Sequence, residues 1–480
     1  MIEIYINEPK FEYDIQALVK AFYPAETIKV STDVVRENAS FYVIYSDNMF
    51  TFGENSGSFE ESAGFDKDTL RPEQKNILKR LIYKALSSFL NKELVWGDLS
   101  GIRPTKIAMK KLEEGCSDDE AKAFMKKTYL VSDEKCNLSV DIANRERNIL
   151  KPLHYKDGYS IYIGIPFCPT TCMYCSFTSN SIAMWKDKVD SYLNALFKEI
   201  DFVSRSFKDK ILDTIYIGGG TPTTLDAVQL ERLMAFIGER FDVSKLLEFT
   251  VEAGRADSIT IDKLKVLKKY NVSRISVNPQ TMNQKTLDII GRRHTVSDVQ
   301  RAFYDAREAG MDNINMDIIL GLPEEGPKEV SNTIDRIVEM NPDSLTVHSL
   351  AIKRASRMQE WIDQNGYKTM INTDETMKIA SDGALRMDMK PYYLYRQKNM
   401  AGNFENTGYA KENCYGIYNI LIMEELQSIV ALGPGSVSKV LTPDGLLKRC
   451  DNVKDVNLYM EKIDEMIERK KQLFFSNESL

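Results

Sequence analysis

YSIYIGIPFCPTTCMYC, residues 159 to 175, opens as a strand and ends in three cysteines, Cys168, Cys172 and Cys175, spaced C-x3-C-x2-C. The same pattern recurs downstream. The β-rich runs DTIYIGGGT, EFTVEAG, RISVNPQT, NINMDIILGLP and SLTVHSLA alternate with helical periodicity over 189–204, 228–240, 261–270, 284–290, 297–309 and 330–340. Strands alternating with helices predict βαβ units and a parallel sheet. Six such units suit an α/β fold built as a partial (β/α)6 barrel, in which catalytic groups stand at the C-terminal strand ends. The unusual residue clusters of this chain fall at those ends.

Working outward, residues 1–153 read as a separate α+β domain. MIEIYINE and SFYVIYSD are strand-like, and 73–95 and 118–130 carry helical periodicity. Within it WGDLSGIRPTKI, from Trp96 to Ile107, is marked by Gly and Pro as a turn. It reads as a domain junction, with a docking loop as the alternative. Residues 154–356 form the barrel. Residues 357–480 are expected to be a mainly helical extension that covers the substrate side. Its helices are predicted at 373–387 and 455–471, and YYLYRQKNMAGNFENTGYA between them reads as loop or lid.

The chain has 480 residues, 43% hydrophobic and 28% charged, ordinary for a soluble globular protein with room for a sizeable core. A net charge of −7 argues against a nucleic-acid partner. The Lys and Arg residues between Lys75 and Lys92 recur at helical spacing and read as a solvated face. The N-terminal residues lack the pattern of a signal peptide, and no run approaches the ~18 apolar residues of a membrane span. Of seven cysteines, three lie within eight residues of one another and four are scattered, unlike a secreted disulfide framework. A cytoplasmic location is expected.

Thiolates are soft ligands suited to iron–sulfur clusters. Three on one tight loop can hold three irons of a 4Fe–4S cluster and leave the fourth open to a small molecule. A structural zinc site wants four ligands. No fourth Cys or His lies near, the nearest His being His154. Cys116, Cys136, Cys414 and Cys450 read as buried thiols.

With an aromatic, Tyr174, before its last cysteine, the motif resembles the signature of the radical S-adenosylmethionine (SAM) superfamily. YIGIPFC resembles the oxygen-independent coproporphyrinogen III oxidase family within it. TVHSLAIKRAS, YYLYRQKNMAGNFEN, ALGPGSVSK and WGDLSGIRPTKI resemble its HemZ-type branch, so the likeness covers most of the chain. It implies a radical SAM barrel holding the cluster on Cys168, Cys172 and Cys175. It also implies SAM contacts from Tyr162, Tyr174, Gly219, Gly220, Thr221, Glu252, Gln280, Arg292 and Asp317. The chemistry of these residue types agrees. Glycine turns let backbone N–H groups approach a ligand, acids suit an ammonium and a ribose, and Arg suits a carboxylate.

The resemblance further implies reductive cleavage of SAM to methionine and a 5′-deoxyadenosyl radical. That radical would take hydrogen from the propionates of coproporphyrinogen III, which lose CO2 and one electron, passed to a terminal acceptor, to become the vinyls of protoporphyrinogen IX in anaerobic heme biosynthesis. Reduced flavodoxin or ferredoxin would be the electron donor. Lys353, Arg354, Arg396 and Lys398 are candidate partners for substrate carboxylates, and Tyr392, Tyr393, Tyr395 and Phe404 for the macrocycle. Two positions depart from the typical oxidases: Phe177 stands where they carry a further Cys, and Gly164 where they carry a His. The heme-chaperone branch shares the Phe but carries a C-terminal H-N-x-x-Y-W element that this chain lacks. A heme chaperone, or another radical SAM reaction on a tetrapyrrole such as methyl transfer or ring opening, are the alternative functions.

Overall fold

A computed structural model describes residues 1–475, except 100–102, 177–178, 353–355, 367–369, 398–403 and 443–444. At its centre six parallel strands lie side by side in chain order. They are Gly158–Ile165, Ile211–Gly219, Glu248–Glu252, Arg274–Ser276, Ile314–Leu320 and Ser344–Ser349, called here the first to sixth barrel strands. The expected (β/α)6 arrangement is present. Alternation explains the layering: in the first strand Ile161, Ile163 and Ile165 are fully buried in one core with Val189, Tyr192 and Leu196 of the helix Val189–Ser206. Tyr162, pointing the other way, joins a different cluster with Tyr216 and Tyr418.

The C-terminal part carries the expected helices, Asp374–Arg386, Val456–Glu461 and Ile463–Phe475, but also strands that extend the barrel sheet at both edges. Ser428–Leu432 runs parallel beside the first barrel strand, and Val437–Leu441 and Leu447–Asp451 follow it. Asn406–Ala410 runs antiparallel beside the sixth strand, with Lys390–Tyr395 outside it. The segment expected to be loop therefore contributes two strands, and Met377, Phe404, Val430 and Tyr459 share the barrel's own core.

Two further cores lie in the first 153 residues. A five-stranded sheet packs the helices Glu12–Phe22 and Arg71–Leu90 around Ile4, Phe50, Phe52 and Leu86. The helices Thr105–Glu113, Asp118–Tyr129 and Asp133–Ile149 enclose Trp96, Met125 and Val140, and this cluster takes in Leu394 from the C-terminal part. No helix among the described residues is long and apolar enough to cross a membrane.

Candidate active site

The cysteine loop leaves the first barrel strand at its C-terminal end and is strapped from several sides. The Met173 N–H donates to Ile290 O at 3.0 Å and the Thr170 hydroxyl to Gly291 O at 3.2 Å. Arg255 Nη1 donates to Thr170 O at 3.1 Å and to its hydroxyl at 2.9 Å, and Arg357 Nη2 donates to Thr171 O at 2.8 Å. Cys168 and Cys172 are buried and Cys175 is half-buried. The Thr221 hydroxyl lies 3.5 Å from Cys168 Sγ, and Arg255 Nη1 lies 3.6 Å from Cys172 Sγ. Burial alone would push the Cys172 thiol up, but Arg292, Arg255 and Tyr174 outweigh it and hold it below the usual range. That is the environment a metal-binding thiolate needs. Among the described residues no three His, Cys, Asp or Glu side chains are grouped closely enough to hold one metal ion.

Arg255, Asp257 and His294 were not singled out from the sequence. Arg255 is 3% exposed and pairs with Asp257 at 2.7 Å, and the His294 ring stands 3.8 Å from Asp257. His294 and Arg255 hold the Asp257 carboxyl below the usual range although burial opposes them. The only sequence signal was the position of Arg255, three residues beyond Glu252 at the end of the third strand.

The glycine-rich turn follows the second strand. Gly219 has φ +99, and the two residues after it crowd the cysteine loop: the Gly220 N–H donates to Ile165 O and the Thr221 N–H to Phe167 O, both at 2.7 Å. A Cβ on Gly220 would stand 2.5 Å from Phe167 O, so only glycine allows this approach. Glu252, at the third strand end, accepts a hydrogen bond from the Tyr216 hydroxyl, and burial raises its carboxyl to about 7. Tyr216 stacks on Tyr418 at 4.4 Å, and Tyr162 stands 6.2 Å from both, forming an aromatic wall.

Gln280 holds φ +66, with its N–H on Asp317 O at 2.9 Å. Arg292 donates to Asn278 O at 2.5 Å, while its buried Nε finds no partner among the described residues. Burial would raise Asp317, but His348, Asn315 and Thr346 hold it below the usual range. The structure thus gathers the sequence-predicted residues at one end of the barrel.

The substrate-side candidates fare differently. Lys353, Arg354 and Lys398, and also Phe177, lie outside the described residues. Arg396 is 5% exposed, its guanidinium 5.4 Å from the Trp96 ring centre and its Nη1 2.5 Å from Leu99 O. This corrects the expectation that it reaches for a substrate carboxylate: Arg396 is engaged by the N-terminal region. Tyr392 and Tyr393 are buried packing residues, whereas the Tyr395 hydroxyl stands 3.5 Å from His348 Nδ1. His348 Nε2 in turn stands 3.8 Å from Asp317.

A sequence model of the Radical SAM superfamily matches residues 162–337. The chain is 42% identical over 413 residues to the oxygen-independent coproporphyrinogen-III oxidase-like protein HemZ of Bacillus subtilis (strain 168), covering 83% of this chain and 82% of that protein. It is 40% identical over 195 residues to the heme chaperone HemW of the same organism, covering 40% of this chain and 51% of that protein. Among solved structures, coproporphyrinogen III oxidase (HemN) from Escherichia coli, described as a radical SAM enzyme, matches with a TM-score of 0.52 at 20% identity. That match covers 67% of this chain and 72% of that one, a likeness of fold.

Proposed function

Because this chain belongs to the HemZ-like family of the radical SAM superfamily, we propose that it oxidatively decarboxylates the propionates of coproporphyrinogen III to the vinyls of protoporphyrinogen IX. Proteins of this superfamily use a 4Fe–4S cluster and SAM. The observation that carries the reading is the convergence at one barrel end of the thiol loop, the acids Glu252 and Asp317, and the orphaned guanidinium nitrogen of Arg292.

The residues present fit that pair of cofactors. Cys168, Cys172 and Cys175 would hold the cluster, which with SAM supplies one-electron radical chemistry. Arg255 and Arg292 favour the thiolate of Cys172 before any metal arrives. In the ionised state Glu252 accepts from an ammonium, and Tyr216 keeps it aimed. Arg292 Nε, buried and without a partner among the described residues, is set to donate to a carboxylate. Asp317, kept ionised, is an acceptor for ribose hydroxyls. Tyr162, Tyr216 and Tyr418 stack beside Glu252 and give the site an aromatic wall.

The test is anaerobic reconstitution with dithionite, SAM and coproporphyrinogen III, read by mass spectrometry against a Cys172→Ala control. Successive loss of two CO2 units, with 5′-deoxyadenosine, supports the reading. Deoxyadenosine with an unchanged porphyrinogen sinks the substrate. The similarity to HemW favours one second reading, heme carriage, which stoichiometric heme binding with a Soret shift would reveal.

A further inference from the structure

WGDLSGIRPTKI, whose turn begins at Trp96, has no part in the chemistry above, yet its side chains are spent on the far end of the chain. Trp96 is fully buried and its indole N–H donates to Glu405 Oε2 at 2.8 Å. Lys135, from the helix Asp133–Ile149, donates to Glu405 Oε1 at 2.7 Å, and both charged groups are buried. Arg396 lies against the Trp96 ring and donates to Leu99 O.

Arg396 and Glu405 follow and precede the paired strands Lys390–Tyr395 and Asn406–Ala410. Val347 of the sixth strand pairs with Thr407, so this end of the pair lies at the C-terminal, catalytic end of the barrel. The same residues touch the barrel strand itself. The Ser349 hydroxyl donates to Glu405 O at 2.9 Å and the Ser349 N–H to Asn406 Oδ1 at 2.8 Å. Beside Arg396, the Tyr395 hydroxyl faces His348, and His348 faces Asp317.

We propose that the N-terminal region is a positioning element for the barrel mouth. By gripping Arg396 and Glu405, the Trp96–Leu99 turn and Lys135 fix the two strand ends that carry Tyr395 and Asn406. They thereby set the Tyr395–His348–Asp317 edge against which substrate binds. A buried ion pair adds little net stability over apolar packing but does specify one geometry, and here that geometry spans the N-terminal region and the mouth. Trp96, Lys135 and Glu405 are positioning residues, since none is placed against SAM or the cluster. The consequence for substrate rests on the porphyrinogen reading; the grip itself does not.

The experiment uses the full-length, cluster-loaded protein carrying Trp96→Phe, which keeps the ring beneath Arg396 and removes only the indole donor. Glu405→Gln serves if that variant does not fold. Hydrogen exchange over 390–397 and 404–410 reads the grip, and binding of coproporphyrin III, followed by its fluorescence, reads the consequence. We expect faster exchange in both segments and about tenfold weaker coproporphyrin binding, the effect of leaving a buried acceptor unpaired. Unstimulated deoxyadenosine formation should be unchanged. Unchanged exchange overturns the grip. Faster exchange with unchanged coproporphyrin binding overturns its control of the mouth. A wild-type protein that binds no coproporphyrin overturns the substrate reading instead, and exchange alone then decides whether the N-terminal region holds the strand ends.

Discussion

The two edges of the barrel mouth are built in opposite ways. At the first strand three thiols lie within eight residues of each other on one loop, which Arg255, the carbonyls of Ile290 and Gly291, and Arg357 strap in place. At the sixth strand the fixing contacts join residues far apart in the chain, Trp96 and Lys135 to Glu405. A short loop on a rigid strand end restricts its ligands with little chain left to order. The far edge has no such economy, and its shape depends on the packing of the N-terminal region. The contrast teaches that the reactive ligands come from one short loop, while the wall opposite them is assembled from segments hundreds of residues apart.

The comparison breaks most sharply at Cys172→Ala, which should abolish deoxyadenosine formation and the iron–sulfur absorbance. Coproporphyrin binding should survive, because the far edge does not depend on that thiol. A cluster-free protein that no longer binds it would show the two edges are one unit. Next in size is Arg255→Met. As an outer partner of the loop it should lower iron retention against a chelator by about 10–100-fold, measured as iron per chain, without altering exchange over 390–410.

Gly433 tests the cluster edge through packing alone. Its φ of +90 and a would-be Cβ 2.4 Å from Gly164 O make Gly433→Ala a strained substitution. Denaturant unfolding should show a loss of about 1–3 kcal/mol, and a stability equal to wild type would mean that this crossing yields easily.

Glu252 supplies a pH signature. With its carboxyl raised to about 7 by burial, SAM affinity should fall as pH drops through 7, by about tenfold per unit well below it. Calorimetric titration should show that slope, and Glu252→Gln should flatten it. The sign for stability is opposite. A carboxyl raised in the folded state contributes stability that is complete below its unfolded value and is lost as pH rises through about 7. The smallest effect belongs to Tyr395→Phe, which removes one hydroxyl from beside His348. About 1 kcal/mol, or roughly a fivefold rise in KM with kcat unchanged, is expected, and a fall in kcat instead would move Tyr395 into the chemistry.

The sequence by itself determined the six βα repeats, because period-2 runs and period-3.6 runs are local properties of the chain. Predicted helices at 189–204, 228–240, 261–270 and 330–340 appear as Val189–Ser206, Ala227–Arg240, Ile261–Lys269 and Pro327–Met340, with ends displaced where capping rather than apolar spacing sets the start. The thiol loop could be read from its own C-x3-C-x2-C spacing, whereas Gly219, Gly220, Thr221, Glu252, Gln280, Arg292 and Asp317 were singled out through the resemblance of their motifs. Only the tertiary structure decided the rest. Asn406–Ala410 has the composition of a loop and becomes a strand because the sixth barrel strand offers an open edge to pair with. Ser428–Leu432 likewise takes its place beside the first strand. Arg396 carries a charge that reads as substrate-facing, yet it lies against Trp96, a partner 300 positions away in the chain. Local pattern specifies which residues can form an element; which edge that element meets depends on contacts that no window of sequence contains.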